Sequence, residues 1–309
     1  MEPLAPGMRR LGRIIRRLVA ASGAGRVASG PRSARSNAVP EGLATILMGT
    51  APRGVKLQTR TVEGIRRRIY TPAGESGSRP LVLYFHGGGF VSVDLRVGDW
   101  MCGTVARDLD AVVVSIEYRL APEHPFPAGL DDCYAGLLWT VEHAVEFGAD
   151  PRRLGVMGES AGGNLAAVVA LMARDAGAPI IAHQALLYPT TGAGDTESRR
   201  ANADAYILTA ADMQRYGELY GGDRTNWRVS PLRATSLEGL PPTLIAVAGH
   251  DPLHDDGVLY AEALRAAGVE VRLLDFPAMP HGFLNFPRFA KDANAGINAV
   301  VEAQRAALR

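Results

Sequence analysis

Leu154-Gly155-Val156-Met157-Gly158-Glu159-Ser160-Ala161-Gly162-Gly163 is the stretch that decides the fold. It begins as a short apolar run and leads into a helix-like run, Asn164 to Ala176. Strand, Gly-x-Ser-x-Gly and helix, in that order, are the context of a nucleophile elbow. The turn is so tight that side chains at the flanking positions would collide, hence the glycines. It would lift the Ser160 hydroxyl to the top of a sheet. There the free N–H groups of a helix start favour developing negative charge. Gly and Ser are common residues, so the motif alone reads equally as a small-residue turn packing a helix on a sheet. The rest of the chain has to decide.

Three other segments agree with the elbow. His86-Gly87-Gly88-Gly89-Phe90 follows the strand-like run Leu81 to Phe85, where a glycine loop would offer backbone N–H groups to an oxyanion. Asp251-Pro252-Leu253 follows the strand-like run Leu244 to Ala248, and His281-Gly282-Phe283 comes 30 residues after Asp251. Oxyanion loop, Ser, Asp, His is the chain order of α/β-hydrolases, unlike that of chymotrypsin or subtilisin.

With these motifs, and with Tyr118-Arg119-Leu120-Ala121-Pro122-Glu123, the chain resembles the hormone-sensitive-lipase-like (bacterial family IV) carboxylesterases of the α/β-hydrolase superfamily. The resemblance runs from about Leu81 to the C-terminus and is looser over the first 50 or so residues. Two places depart from the usual pattern. Glu159 stands where members often carry Asp or Thr, and His254-Asp255-Asp256 stands where Arg, Asp and Glu are more usual. The resemblance implies a helical cap over the site, built here from residues 1–45 and about 190–228. It leaves 46–309 as the catalytic domain that carries the second cap segment.

Bulk properties are compatible with one large domain. The 309 residues are 47% apolar and carry a net charge of +1, so nothing global points to nucleic acid. The charge is uneven: residues 1–60 hold 11 Lys and Arg against 2 Asp and Glu, the remainder 22 against 30. Such asymmetry can mark a membrane- or nucleic-acid-binding tail, but a basic cap segment lying over an acidic body is the favoured reading. Arg9, Arg10, Arg13, Arg16 and Arg17 interleave with Leu11, Ile14, Ile15 and Leu18, which fits a short amphipathic helix as well as a transit peptide. No apolar run reaches the length of a membrane span. Cys102 and Cys133 make neither a disulfide framework nor zinc spacing. They point to a reduced, cytoplasmic protein with two partly buried thiols.

The coarse pattern is α/β. Val55 to Tyr70 reads as a hairpin turning at Glu63-Gly64. Strand runs at 81–85, 111–116, 154–157, 185–188, 244–248 and 269–275 alternate with helical runs at 131–147, 160–176, 256–267 and 293–308. Continuous Val- and Leu-rich strands in alternation with helices predict a mostly parallel sheet covered on both faces. The alternation breaks between Pro189 and Val229, with a helix-like piece at 209–220, and residues 20–40 read as a loop.

The expected chemistry is acyl transfer. Ser160 is the nucleophile, which needs a base within hydrogen-bond reach. His281 is that base, and Asp251 orients it. Asp255 and Asp256 are rivals by proximity but look like helix-start carboxylates. Gly88, Gly89 and the N–H of Ala161 form the oxyanion hole, and Gly87 serves the turn. Among the remaining histidines, His86 braces the glycine loop and His124 is structural. His143 lies on the surface, His183 precedes a strand, and His250 and His254 flank the acid. Arg119 and Glu123 are expected to form a structural charge pair. Phe90, Tyr188, Leu208 and Phe283 sit beside site motifs as acyl-pocket candidates or simple core. No cofactor, metal or nucleic acid is required, the substrate is a small-molecule ester of short to medium acyl chain, and a homodimer stays open. Lactone, carbamate or N-acyl hydrolysis on the same triad is the alternative within enzymes, and a non-catalytic ligand-binding member of the fold is the alternative outside them.

Overall fold

The alternation of strand and helix is realised as one eight-stranded sheet, ordered β1-β2-β4-β3-β5-β6-β7-β8. The structure, a computed structural model, describes residues 2–21, 47–74 and 77–309, with 14–21 described by backbone alone. The loop expected at 20–40 lies, from residue 22 on, outside the described residues. So do most of the N-terminal cap segment and the side chains of Ile14, Ile15, Arg16, Arg17 and Leu18.

Helix α1 (Pro6–Ala21) opens the chain. Its first turns bury Met8 and Leu11 and expose Arg10 and Arg13, as an amphipathic helix should. Strands β1 (Val55–Val62) and β2 (Ile65–Pro72) form the expected hairpin. Its turn residues Glu63 and Gly64 have φ of 52° and 81°, the left-handed pair that matches strand twist. Then come β3 (Arg79–Phe85), α2 (Asp99–Leu109), β4 (Val112–Ile116), α3 (Ala128–Glu142), β5 (Ala149–Glu159), α4 (Ala161–Ala176) and β6 (His183–Leu187). After β6 lie the short helix α5 (Glu197–Ala201) and α6 (Ala210–Tyr220). The chain closes with β7 (Thr243–His250), α7 (His254–Ala266), β8 (Val271–Pro280) and α8 (Ala293–Ala307). From β4 across to β8 every pairing is parallel, while β2 runs antiparallel to β1 and β4.

Side-chain alternation sends the strands' residues into two cores. Leu81, Leu83 and Phe85 join Leu130, Leu137, Leu165 and Leu264 under α3, α4 and α7. Val82 and Tyr84 join Met101, Val105, Ile297 and Val300 under α2 and α8, together with Leu4, Met8 and Leu11 from the N-terminus. Both cysteines are fully buried and unpaired, not partly buried as expected, and burial pushes both thiols well up.

Two strands differ in extent from the sequence reading, and one helix lies outside it. β5 begins at Ala149, because Arg79 pairs with Ala149 across an irregularity before Leu81 meets Leu154. β8 continues past Asp275 to Pro280; it is the edge strand, where a proline removes no ladder bond. Helix α2 was not among the expected runs, since Gly103 and Thr104 weaken its helical signal. For the site, the decisive feature is that β3, β5, β7 and β8 all end on the same side of the sheet.

Candidate active site

Ser160 stands between the end of β5 and the start of α4 with φ 53° and ψ −118°, a region L-residues rarely occupy. The packing around it explains the flanking glycines. A Cβ on Gly158 would lie 2.1 Å from the Gly162 carbonyl oxygen, and one on Gly162 would lie 2.0 Å from that of Phe85. Backbone touches backbone on both sides of the serine, so any side chain there would have to displace a main chain.

Asp251 directly follows β7 and His281 directly follows β8. These adjacent strands bring the two side chains together: His281 Nδ1 lies 2.7 Å from Asp251 Oδ2. The Nε2 atom lies 2.8 Å from Ser160 Oγ. A carboxylate only accepts, so Nδ1 carries the proton and Nε2 is left to accept from the serine hydroxyl. Asp251 is fully buried, and its other oxygen accepts the Leu253 N–H at 2.8 Å. The Tyr188 ring meets His281 edge-on at 5.0 Å.

The two rival carboxylates start α7, as expected, but are also engaged elsewhere. Asp255 accepts the Ser198 N–H at 2.8 Å. Asp256 is fully buried. Its Oδ1 accepts the N–H groups of Thr191, Gly192 and Ala193, and its Oδ2 takes Arg199 at 2.8 Å. Together they clamp the chain that leaves β6.

The glycine loop after β3 faces Ser160 across a cavity of about 630 Å³, lined by Gly87, Gly88, Gly89 and Ala161 among others. The N–H groups of Gly88 and Gly89 have no acceptor among the described residues. That of Ala161 belongs to the first turn of α4, where no intrahelical acceptor exists. His86 braces the loop: its ring stacks on Tyr118 at 4.3 Å, and its Nδ1 lies 2.8 Å from the Gly87 carbonyl oxygen. The Tyr118 hydroxyl donates to the His86 carbonyl oxygen at 2.8 Å, and burial lowers the His86 pKa.

Sequence reasoning missed what Glu159 does. It is almost fully buried directly before the serine, with its carboxylate between two tyrosines. Oε1 accepts from the Tyr84 hydroxyl at 3.0 Å and the Gly87 N–H at 3.3 Å. Oε2 accepts from the Tyr188 hydroxyl at 2.9 Å and from the Asn285 amide. One carboxylate therefore ties together the glycine loop, the end of β6 and the loop that carries His281.

Of the four pocket candidates, Phe90 and Leu208 line the cavity and Tyr188 and Phe283 do not. Tyr188 has φ 38° and swings its hydroxyl inward onto Glu159, while Phe283 is fully buried against Phe276 and Tyr188. The expected Arg119–Glu123 pair is also corrected. The Arg119 guanidinium closes on both oxygens of Asp132, at 2.7 and 2.8 Å, and the Arg119 N–H reaches the same carboxylate. The other histidines lie apart from Ser160. His143 stacks on Trp139, and His183 opens β6, where burial pushes it down to about 4. His254 lies between Asp255 and Asp275, and His250 Nε2 lies 2.8 Å from the Glu2 carbonyl oxygen. Among the described residues no group of three or more His, Cys, Asp or Glu is arranged to hold a metal, and no helix is long and apolar enough to cross a membrane.

Residues 82–285 match the family described as the alpha/beta hydrolase fold. The carboxylic ester hydrolase LipN of Mycobacterium tuberculosis is 46% identical over 79% of this chain and 67% of its own length. The ethyl acetate hydrolase of Pseudomonas putida is 35% identical over 81% of this chain and 80% of its own. The esterase of Pyrobaculum calidifontis superposes with a TM-score of 0.85 at 32% identity, covering 98% of this chain and 99% of that one. The chain belongs to the hormone-sensitive-lipase-like carboxylesterases of the α/β-hydrolase family, and it is a carboxylic ester hydrolase.

Proposed function

We propose that this ester hydrolase is a serine carboxylesterase that acts on short- to medium-chain acyl esters through an acyl-enzyme. His281 Nε2 removes the Ser160 proton as Oγ adds to the ester carbonyl carbon. Asp251 holds the imidazole tautomer and stabilises the imidazolium that forms. The oxyanion accepts from the N–H groups of Gly88, Gly89 and Ala161, each donor worth on the order of 3 kcal/mol in the transition state. Collapse expels the alcohol with the proton from His281. Water, deprotonated by the same nitrogen, then adds to the acyl carbonyl, and the carboxylic acid leaves as Ser160 recovers its proton.

The observation that carries this reading is the unbroken hydrogen-bonded line Asp251–His281–Ser160 opening on a loop with free N–H groups. A cavity of about 630 Å³ suits one small ester better than a long-chain triglyceride. The name of the Pseudomonas relative agrees with short chains. We read residues 1–45 and 190–228 as the cap; of the second segment, Thr190, Leu208, Met213 and Tyr216 stand in the cavity wall. Two buried, unpaired cysteines fit a cytoplasmic location.

The test is labelling with an active-serine phosphonate, together with Ser160→Ala. The expected result is one adduct at Ser160 and a loss of about a millionfold in kcat in the variant, with its melting temperature held. An adduct elsewhere, or a variant that keeps more than about a thousandth of the wild-type rate, would remove Ser160 from the mechanism.

A further inference from the structure

Three arginines line the cavity that holds Ser160: Arg199, Arg224 and Arg233. Arg199 is neutralised by the buried Asp256 at 2.8 Å. Arg224 and Arg233 are exposed and have no side-chain hydrogen bond or ion pair with another described residue. Arg224 lies along α6 where that helix has no side chain: a Cβ on Gly217 would stand 2.7 Å from Arg224 Nη2. Gly217 belongs to the face of α6 that lines the cavity with Met213 and Tyr216.

No carboxylate among the described residues forms an ion pair or hydrogen bond with either guanidinium. Glu159 is the acidic side chain in the described wall, and both its oxygens are taken by Tyr84, Gly87, Tyr188 and Asn285. Asp223 is near enough to feel the Arg233 charge, but it makes no ion pair with it, its hydrogen bonds coming from the Thr225 N–H and hydroxyl at 2.8 Å each. A concave, largely apolar wall concentrates the field of cations that have no ion-pair partner in contact, and a guanidinium fork matches a carboxylate.

We infer that the preferred ester carries a carboxylate remote from its scissile bond, and that Arg224 and Arg233 select for it. This rests on the ester-hydrolase reading of the Ser160 site. The negative group belongs either to the acyl chain or to the alcohol, and the chemistry of recognition is the same.

Two matched ester pairs test it. Mono-nitrophenyl glutarate against its methyl-capped diester puts the carboxylate on the acyl side, with nitrophenolate release as the readout. Acetoxybenzoate against methyl acetoxybenzoate puts it on the alcohol side. The anionic-to-neutral ratio of kcat/KM, corrected for spontaneous hydrolysis, is compared between wild type and the Arg224→Gln/Arg233→Gln double variant. In at least one pair the ratio should fall about fivefold in the variant, the scale of a solvent-exposed charge pair. The wild-type ratio should also shrink as salt is raised. The pair that responds assigns the carboxylate to acyl or alcohol. Hydrolysis with a ratio unchanged in both pairs overturns the inference and leaves the esterase reading intact. Failure to hydrolyse any of the four esters would remove both.

Discussion

The cavity has two walls built in different ways. The sheet side consists of strand ends, where Asp251 is fully buried and His281 and Glu159 nearly so, and where each carboxylate oxygen has a donor. The facing side is drawn from residues 190–233, where α6 buries only Tyr220, and Arg224 and Arg233 stand exposed. That segment is pinned at a few points: Asp256 holds Thr191 and Arg199, and the Asn164 amide donates to the carbonyl oxygens of Thr190 and Val229. Chemistry needs atoms fixed to fractions of an ångström, and a buried, fully bonded wall supplies that. Substrate choice tolerates a looser surface. Damage to the sheet side should therefore lower kcat, and damage to the facing side should raise KM.

The sharpest contrast is between two carboxylates five residues apart, Asp251 and Asp256. Asp251→Asn should lower kcat about ten-thousandfold with little change in melting temperature, because an amide at that place favours the wrong imidazole tautomer. Asp256→Asn leaves Arg199 without its charge partner. It should cost about 3 kcal/mol of stability and raise KM, with kcat within about tenfold of wild type. Steady-state kinetics and thermal melting on both variants decide it. Similar kcat losses in the two would abolish the distinction between the walls.

Glu159→Gln comes next in size. The carboxylate accepts four hydrogen bonds, one of them from a donor that cannot reverse, the Gly87 N–H, and another from the Asn285 amide, which can reverse only by flipping its side chain. A glutamine NH₂ at the Oε1 position would face the Gly87 N–H, and at the Oε2 position it would need the Asn285 amide to flip, so the charge-assisted character of the four bonds is lost in either orientation. The expected loss is about ten- to a hundredfold in kcat at nearly constant KM, corresponding to one charge-assisted bond of about 1.5–3 kcal/mol. An unchanged kcat would mean that the glycine loop and the His281 loop hold their places without this link.

The two walls also differ in how much of them could be read from sequence. Ser160 and Asp251, and His281 after its longer strand, each follow a strand end directly. The glycine loop does the same, so local signals placed all four. The donors of Glu159 come from positions 84, 87, 188 and 285, and no local pattern ties such distant residues to one acid. Tyr188 and Phe283 show the limit of adjacency: both neighbour site motifs, yet backbone direction turns their rings into the core. The sequence motif pairs Arg119 with Glu123, and the fold brings Asp132 from α3 to it instead. The helix at 209–220 was legible, and Thr209 does cap it, with Asp212 completing the capping box. Which face of it meets the cavity was not, because that depends on the whole path of 190–233.

The smallest expected effect lies farthest from the serine, at the N-terminal helix. Leu11 is fully buried in the core shared with Met8, Tyr84 and Phe286, and Gly12 sits so close to Tyr206 that a Cβ there would lie 2.6 Å from its ring. Ile207 and Leu208, next to Tyr206, stand in the cavity wall. The helix thus supports the facing side from behind. Leu11→Ala should cost about 3 kcal/mol of stability, the range for a buried leucine. It should raise KM a few-fold, to roughly the extent that a loosened wall admits water, and leave kcat nearly unchanged. Thermal melting and a KM determination on the variant check both. If the segment served only as an address, removing a leucine from it would alter neither melting nor KM, and the facing wall would have to be held by Asp256, Asn164 and its own helices alone.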